Sequence, residues 1–355
     1  MNKVPEKLKP LKRISPSRYT AMKKCPYRVV LANSYSAPLL PYPPASHLGN
    51  VIHECIRLII SGVIKTNAEF DKTWKYLLAK QEKALVDRGF EFYKPLSENV
   101  PGYTIKKLQV KSLLKSRGKT NIQENKKTST SILTEKWLEA KDSLIGGYTD
   151  IIFNRNDYIK LSDFKSGGVF LEEGEIKEEY EDQLKLYAYL YSQVFGKYPD
   201  QLSIIDLEKK EYLVTFTPQG CEALADKAKE ALSKINSLIE KNERRALAKP
   251  TWDHCKSCLY RPACSFYWQL PLSEGISTFR DVRGRVTAVN KFRNGNLNTT
   301  LNTCNGELIV SQVSGEYSSF LTDSIGKEVA FYNVMQSKRI RGYRAIKTTK
   351  VYEVS

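Results

Sequence analysis

Residues 146–167 read GGYTDIIFNRNDYIKLSDFKSG, two apolar runs joined by a polar turn. That is the pattern of a β-hairpin, and three of its residues break the pattern. Asp150 interrupts the first run, and Asp163 and Lys165 close the second with only Phe164 between them. Strands are depleted in Asp, and a carboxylate buried in a sheet requires a metal or a cationic partner. Whatever fold this chain adopts must therefore supply one.

A turn centred between Arg155 and Asn156, with a loop of two or four residues, sets Asp150 opposite Leu161 and puts Asp163 one same-face step further on. The two acids are then diagonal neighbours with Cα atoms about 7 to 8 Å apart, a span suited to gripping one cation. Lys165 shares their face and Phe164 points the other way, into the core. A loop of three or five residues would put the acids on opposite faces. A solvent-exposed hairpin face is the alternative, but Ile151, Ile152, Phe153, Ile159 and Leu161 make both faces apolar and predict a central strand.

Other segments read as follows. SPSRYTAMKKCPYRVVLANSY predicts one helix capped by Ser15 or Ser17, ended by the proline-rich LLPYPPASH. HLGNVIHECIRLIISGVI carries Ile52, Ile56, Ile59, Ile60 and Val63 at helical spacing, with His53 among them. A lone helical His suits a core position as well as a ligand position. His47 lies ahead of that predicted helix. In EEYEDQLKLYAYLYSQVF, Tyr180, Gln183 and Tyr187 fall on one helix face. An aromatic stripe is core packing in most helices, yet an amide in its midst needs a partner. Two short strands, LSIIDL and EYLVTF, precede a helix over about residues 219–242, and the end of the chain is strand-rich with an Asn305-Gly306 turn. Residues 105–127 are rich in lysine, with Glu124 their only acid, and read as a phosphate-facing surface or as a solvated loop. Within them RGKT ends like a phosphate-binding loop, but Leu113 stands where that loop needs glycine.

Lys and Arg total 56 against 39 Asp and Glu, a formal charge of +17. This excess suits a polyanion such as nucleic acid, or marks a protein that is simply basic. No apolar run approaches the roughly 18 residues of a membrane span, and the basic start MNKVPEKLKPLKR lacks the apolar stretch of a secretion signal. A soluble cytoplasmic protein is expected, with no membrane partner. Seven cysteines are an odd number, and Cys255, Cys258 and Cys264 lie within ten residues of one another. Metal binding in a reducing compartment is expected in place of a disulfide framework.

GGYTDIIF followed by LSDFKSG resembles the G-x-x-D and D-x-K motifs of the PD-(D/E)XK nuclease superfamily, in its RecB-like branch. GNVIHE is similar to that branch's upstream histidine motif, and YEDQLKLYAYLY to its Q-x-x-x-Y helix. CPYR near the start, with C-x2-C-x5-C at Cys255, Cys258 and Cys264, resembles the iron-sulfur RecB-family nucleases of CRISPR adaptation and of helicase-nuclease repair machines. The resemblance implies an α/β fold, a restriction-endonuclease-like mixed sheet flanked by helices, over residues 14–268 after a basic tail of residues 1–13. It implies that His53, Asp150, Asp163 and the backbone carbonyl of Phe164 hold Mg²⁺ or Mn²⁺, with the imidazole tilting the site toward Mn²⁺. Lys165 would orient the attacking water or stabilise charge on phosphorus. Tyr180, Gln183 and Tyr187 would face a DNA strand or the metal. Cys25, Cys255, Cys258 and Cys264 would hold a [4Fe-4S] cluster, zinc being the alternative, with His254 able to replace one thiolate.

After a linker over residues 269–278, residues 279–355 resemble a small OB-type β-barrel. Its Phe292, Tyr317, Phe331, Tyr332 and Tyr343 would stack bases of a single strand, or else form the core of a barrel that docks a protein. The activity so implied is a metal-dependent DNA nuclease. It would be an exonuclease on single-stranded or end-containing DNA in repair, recombination, CRISPR-type adaptation or phage defence, with any helicase motor on a separate subunit. The alternatives are a catalytically silent DNA-binding subunit of a helicase-nuclease complex and a zinc-stapled interaction module.

Overall fold

The computed structural model describes residues 7–119, 130–270, 279–338 and 341–354. Its larger sheet contains β1 (Thr130–Glu139), β2 (Gly146–Arg155), β3 (Tyr158–Lys165), β4 (Gln201–Asp206) and β5 (Glu211–Val214), in that spatial order. β3 is central. It runs parallel to β4, while the other neighbours are antiparallel, so the sheet is mixed. The β2–β3 loop is Asn156 and Asp157, both at positive φ (52° and 64°), a geometry that these two residue types tolerate and that matches the twist of a two-residue hairpin.

That turn lies one residue later than the sequence suggested. Arg155 pairs with Tyr158, and Leu161 faces Ile152 instead of Asp150. The even loop length is as expected, so the two acids keep one face. Extending the ladder one step past Ile151 and Ser162 makes them cross-strand neighbours in place of diagonal ones.

The helices around this sheet are α1 (Pro16–Lys24), α2 (Pro26–Ser34), α3 (Pro44–Ile60), α4 (Asn67–Asp87), α5 (Leu96–Asn99), α6 (Tyr103–Lys119), α7 (Glu178–Phe195) and α8 (Pro218–Glu240). The first two replace the single helix expected there. Pro26 has no N–H to donate and forces Cys25 into an extended conformation (φ −157°, ψ 99°). α3 begins early enough to include His47, which is buried. α3, α4 and α6 pack Leu48, Ile52, Trp74 and Val110 against Ile151 and Phe164, so Phe164 does enter the core. α7 lies against β1 to β4 and between α1 and α8. It ends on Gly196 with φ 75°, the left-handed conformation that closes a helix. α6 covers the first part of the lysine-rich segment; residues 120–127, and residues 271–278 of the expected linker, lie outside the described residues. Among the described residues no helix is long and apolar enough to cross a membrane.

These elements form one compact unit, Lys9–Asn33 with Tyr42–Leu247. A second unit joins Lys7 and Leu8, Ser34–Pro41 and the described residues from Ala248 onward. It contains β6 (Phe279–Lys291), β7 (Leu297–Thr303), β8 (Gly306–Val313), β9 (Glu328–Gln336), β10 (Gly342–Arg344) and β11 (Lys350–Glu353). The order β10-β8-β7-β6-β9-β11, with β10 also pairing to β9, closes five strands into a small barrel. β8 and β10 are parallel, and a helix, Ser318–Asp323, sits between β8 and β9.

Two aromatics expected on the surface are buried. Phe331 (0% exposed) fills the barrel core with Val286, Leu301 and Val310. Tyr332 (1%) points out of the barrel but meets Leu40, Cys255 and Tyr267. Adjacent strand residues face opposite ways, and β9 is covered on both sides, so neither ring can stack a base. Phe292 is exposed, while Tyr317 and Tyr343 are partly buried against the core.

Candidate active site

The end of β3 meets the first turns of α7. Asp163 is buried, and its Oδ1 accepts a hydrogen bond from Gln183 Nε2 (3.0 Å). Lys165 Nζ donates to Gln183 Oε1 (2.9 Å), forms an ion pair with Asp163 Oδ2 (2.7 Å), and lies 4.3 Å from the centre of the Tyr180 ring. One amide thus bridges acid and base. Apart from that ion pair, Asp163 Oδ2 has no directed hydrogen-bond donor. On the neighbouring strand Asp150 Oδ2 accepts the Phe164 N–H (2.9 Å) and stands 3.6 Å from His53 Nδ1 on α3. His53 and Asp150 thus join the strand that carries Asp163 and Lys165 through the Phe164 amide, and Gln183 and Tyr180 meet that strand from α7.

Tyr187 behaves differently from its two helix-face companions. Its ring is buried, and its hydroxyl donates to the Tyr148 carbonyl, tying β2 to α7. It thereby holds the strand that carries Asp150. Gly147 makes that approach possible. A Cβ there would come within 2.9 Å of Pro16 Cδ and 3.3 Å of the Tyr187 hydroxyl.

The sequence profile of the PD-(D/E)XK nuclease superfamily matches residues 13–265. The chain belongs to this superfamily. Membership implies metal-dependent hydrolysis of phosphodiester bonds. A solved structure described as the crystal structure of SSO0001 is 13% identical, covers 73% of this chain and 89% of its own, and has a TM-score of 0.30. No curated protein matches.

In this superfamily member the site shifts the titration of two of its groups. The Asp163 carboxyl is raised above the ordinary carboxylate range, first by burial and then by the Asp150 charge, against the pull of Lys165 and His53. Burial alone would lower His53, but hydrogen bonding to Asp150 and the charges of Asp150 and Asp163 outweigh it and raise the imidazole. Burial and a second negative charge both oppose ionisation of Asp163, whereas His53 is raised because the carboxylates outweigh its burial.

A divalent cation is the other way to relieve that charge. Asp163 Oδ2 is a buried carboxylate oxygen without a directed donor, and a cavity of about 20 Å³ lies against His53, Asp150 and Phe164, room for about one water-sized group. Among the described residues, no group of three or more His, Cys, Asp or Glu side chains is gathered so as to hold a metal ion. As folded, the carboxylates turn instead to the Phe164 amide, Gln183 and Lys165.

The sequence reading missed Glu135 and Arg57, which line the same cavity. Glu135 stands within β1 at φ 49°, at the position across from Asp150 where the β1–β2 ladder is interrupted. A bulky residue at positive φ inside a strand is strained. Arg57 is held by Glu54 and lies 3.5 Å from Glu135. The polar pattern of β1 gave no sign of this conformation. Spacing did offer a signal for Arg57, one helical turn beyond His53.

Cys25 is half-buried at the end of α1 in the first unit. Cys255 and Cys258 are buried and Cys264 is half-buried in the second unit.

Proposed function

We propose that this chain is a metal-dependent deoxyribonuclease whose catalytic groups are Asp150, Asp163, Lys165 and His53. The observation that carries the reading is the buried Asp163, fixed by Gln183 and Lys165 yet keeping one oxygen without a directed donor. A structural acid has its lone pairs satisfied; this one keeps capacity for a ligand.

Asp150, Asp163, the Phe164 carbonyl and His53 would hold Mg²⁺ or Mn²⁺, which supplies Lewis-acid activation of the phosphodiester and of the attacking water. Lys165, steadied by Gln183 and the Tyr180 ring, then places a positive charge beside the phosphorus as negative charge builds there. Gln183 keeps acid and base in register, and Tyr180 and Gln183 form the wall facing the substrate strand. Tyr187 acts behind them, through β2.

The finer reading is an exonuclease on single-stranded or end-bearing DNA in repair, recombination or defence, with any helicase on a separate subunit. The charge of +17 supports a nucleic-acid partner. A barrel of order β6-β7-β8-β10-β9, with a helix between β8 and β9, supports an OB-type domain over residues 279–355. The nuclease domain would then run over residues 14–268, close to the matched range. Order and spacing along the chain support a [4Fe-4S] cluster on Cys25, Cys255, Cys258 and Cys264. A brown anaerobic preparation that contains iron is expected, whereas a colourless one that contains zinc would overturn the cluster.

The test of activity is digestion of end-labelled single-stranded and duplex DNA with Mg²⁺ or Mn²⁺, wild type against Asp163→Ala. Cleavage by wild type and loss of about a thousandfold or more in the variant is expected. Wild-type rates in Asp163→Ala would sink the assignment. Product lengths give polarity and mode.

A further inference from the structure

Beyond Lys165 the chain runs through Gly167 and Gly168 to Phe170, and with Lys106 on α6 and Tyr212 on β5 this loop walls a pocket of about 310 Å³. That volume is at the lower end of the range of small-molecule sites, enough for about one nucleotide. A Cβ on Gly167 would meet nothing within 4 Å, so backbone faces open space there.

Phe170 is 40% exposed, a large apolar ring left in solvent. It is nevertheless held. It meets Tyr212 edge-on at 4.8 Å and 88°, and its loop is pinned by Leu171 N–H to Glu175 (2.8 Å) and Lys177 N–H to Val169 (3.1 Å). Asp206 accepts from the Tyr212 hydroxyl and the Lys210 N–H, and Glu208 pairs with Lys210. Lys106 has no carboxylate partner among the described residues, while its neighbours Lys107 and Lys111 both pair with Asp71. A fixed exposed ring, an unmatched ammonium and open glycine backbone, all beside Lys165, make up the parts of a nucleotide subsite.

We propose that this pocket takes the nucleotide adjoining the scissile phosphate, with its base stacked on Phe170 and a phosphate against Lys106. The proposal rests on the reading of Lys165 as part of a phosphodiesterase site. A base inside a duplex enters a pocket only after unstacking and unpairing, at a cost of a few kcal/mol, so the subsite favours single strands and frayed ends.

Fluorescence anisotropy of a short fluorescein-labelled oligothymidylate, in EDTA, compares wild type with Phe170→Ala, Phe170→Trp and Lys106→Ala. Phe170→Ala is expected to bind about tenfold more weakly and Phe170→Trp to keep the affinity. Lys106→Ala is expected to bind more weakly and to flatten the salt dependence by about 0.7, the slope of one phosphate contact on a single strand. Unfolding midpoints check that each variant is folded; should Phe170→Ala fail to fold, the tryptophan and Lys106 variants decide. Wild-type affinity in Phe170→Ala, equal loss in Phe170→Trp, or an unchanged salt slope in Lys106→Ala overturns the subsite. DNA digestion tests the nuclease reading separately. Weak binding by Phe170→Ala with an inactive wild type would leave the pocket standing and remove the catalysis, and an active wild type with unchanged Phe170→Ala affinity would do the reverse.

Discussion

Asp163 in the mixed-sheet unit and Asp281 in the barrel unit have side chains buried to nearly the same degree, 5% and 4% exposed, and each adjoins a cation. They differ in how completely they are satisfied. Asp281 receives Arg261 Nε (2.5 Å) and Nη2 (3.3 Å), the Tyr267 hydroxyl (2.8 Å) and the Asn333 N–H (2.8 Å). Arg261 in turn donates to the Cys258 carbonyl and the Asn333 side chain. Asp163 receives Gln183 on one oxygen and keeps Lys165 close to the other. A saturated buried acid fastens two segments of chain; one left short of donors stores unfavourable charge that a ligand can relieve.

The largest expected effect separates the two acids by activity. Lys165→Ala should cut DNA cleavage by about a thousandfold or more, far beyond what any shift of the unfolding midpoint accounts for, measured by digestion and thermal melting side by side. A variant that cleaves normally removes Lys165 from the chemistry.

Asp281→Ala should do the opposite, costing about 3 to 5 kcal/mol because Arg261 is left buried without its counter-charge. Chemical denaturation measures it, and a cost below about 1 kcal/mol would mean that the two acids do not differ as described.

Asp163→Asn sharpens the contrast through pH. A carboxyl raised on folding contributes stability that is complete below its unfolded value of about 3.9 and is lost as pH rises through its higher folded value. The pull of Lys165 is already included in that net raised value. Metal-free Asp163→Asn should therefore be more stable than wild type at neutral pH, by about 1 to 2 kcal/mol. The gap should close as pH falls toward 4, and the raised His53 acts in the same sense. A pH-independent gap, or a less stable variant at pH 7, would contradict the stored-charge account.

The smallest effect concerns support. Tyr187→Phe loses its bond to the Tyr148 carbonyl and should cost about 1 kcal/mol of stability, with a modest drop in kcat and little change in KM. A KM rise of tenfold would return Tyr187 to direct substrate contact.

Much of the first unit was legible because periodicity is local. The helix in EEYEDQLKLYAYLYSQVF runs over the whole of that stretch, and the even loop of the hairpin put Asp150 and Asp163 on one face. The register was not, since Arg155-Asn156 and Asn156-Asp157 are both plausible turns by composition and only backbone conformation separates them. Phe331 and Tyr332 were misread for a different reason. Adjacent strand residues look half-exposed by alternation, but residues from Leu40 and the cysteine segment cover the outer side of β9.

By itself the sequence determined which side chains share a face, because strand and helix periods are properties of the backbone, and it carried the motifs that mark the superfamily. The tertiary structure alone decided how well each buried acid is satisfied. Gln183 reaching Asp163 from α7, Arg261 reaching Asp281 across 20 positions, and Glu135 turned into the left-handed region opposite Asp150 depend on where distant segments pack. Hydrogen-bond donors act over about 3 Å, a distance on which spacing along a chain is silent.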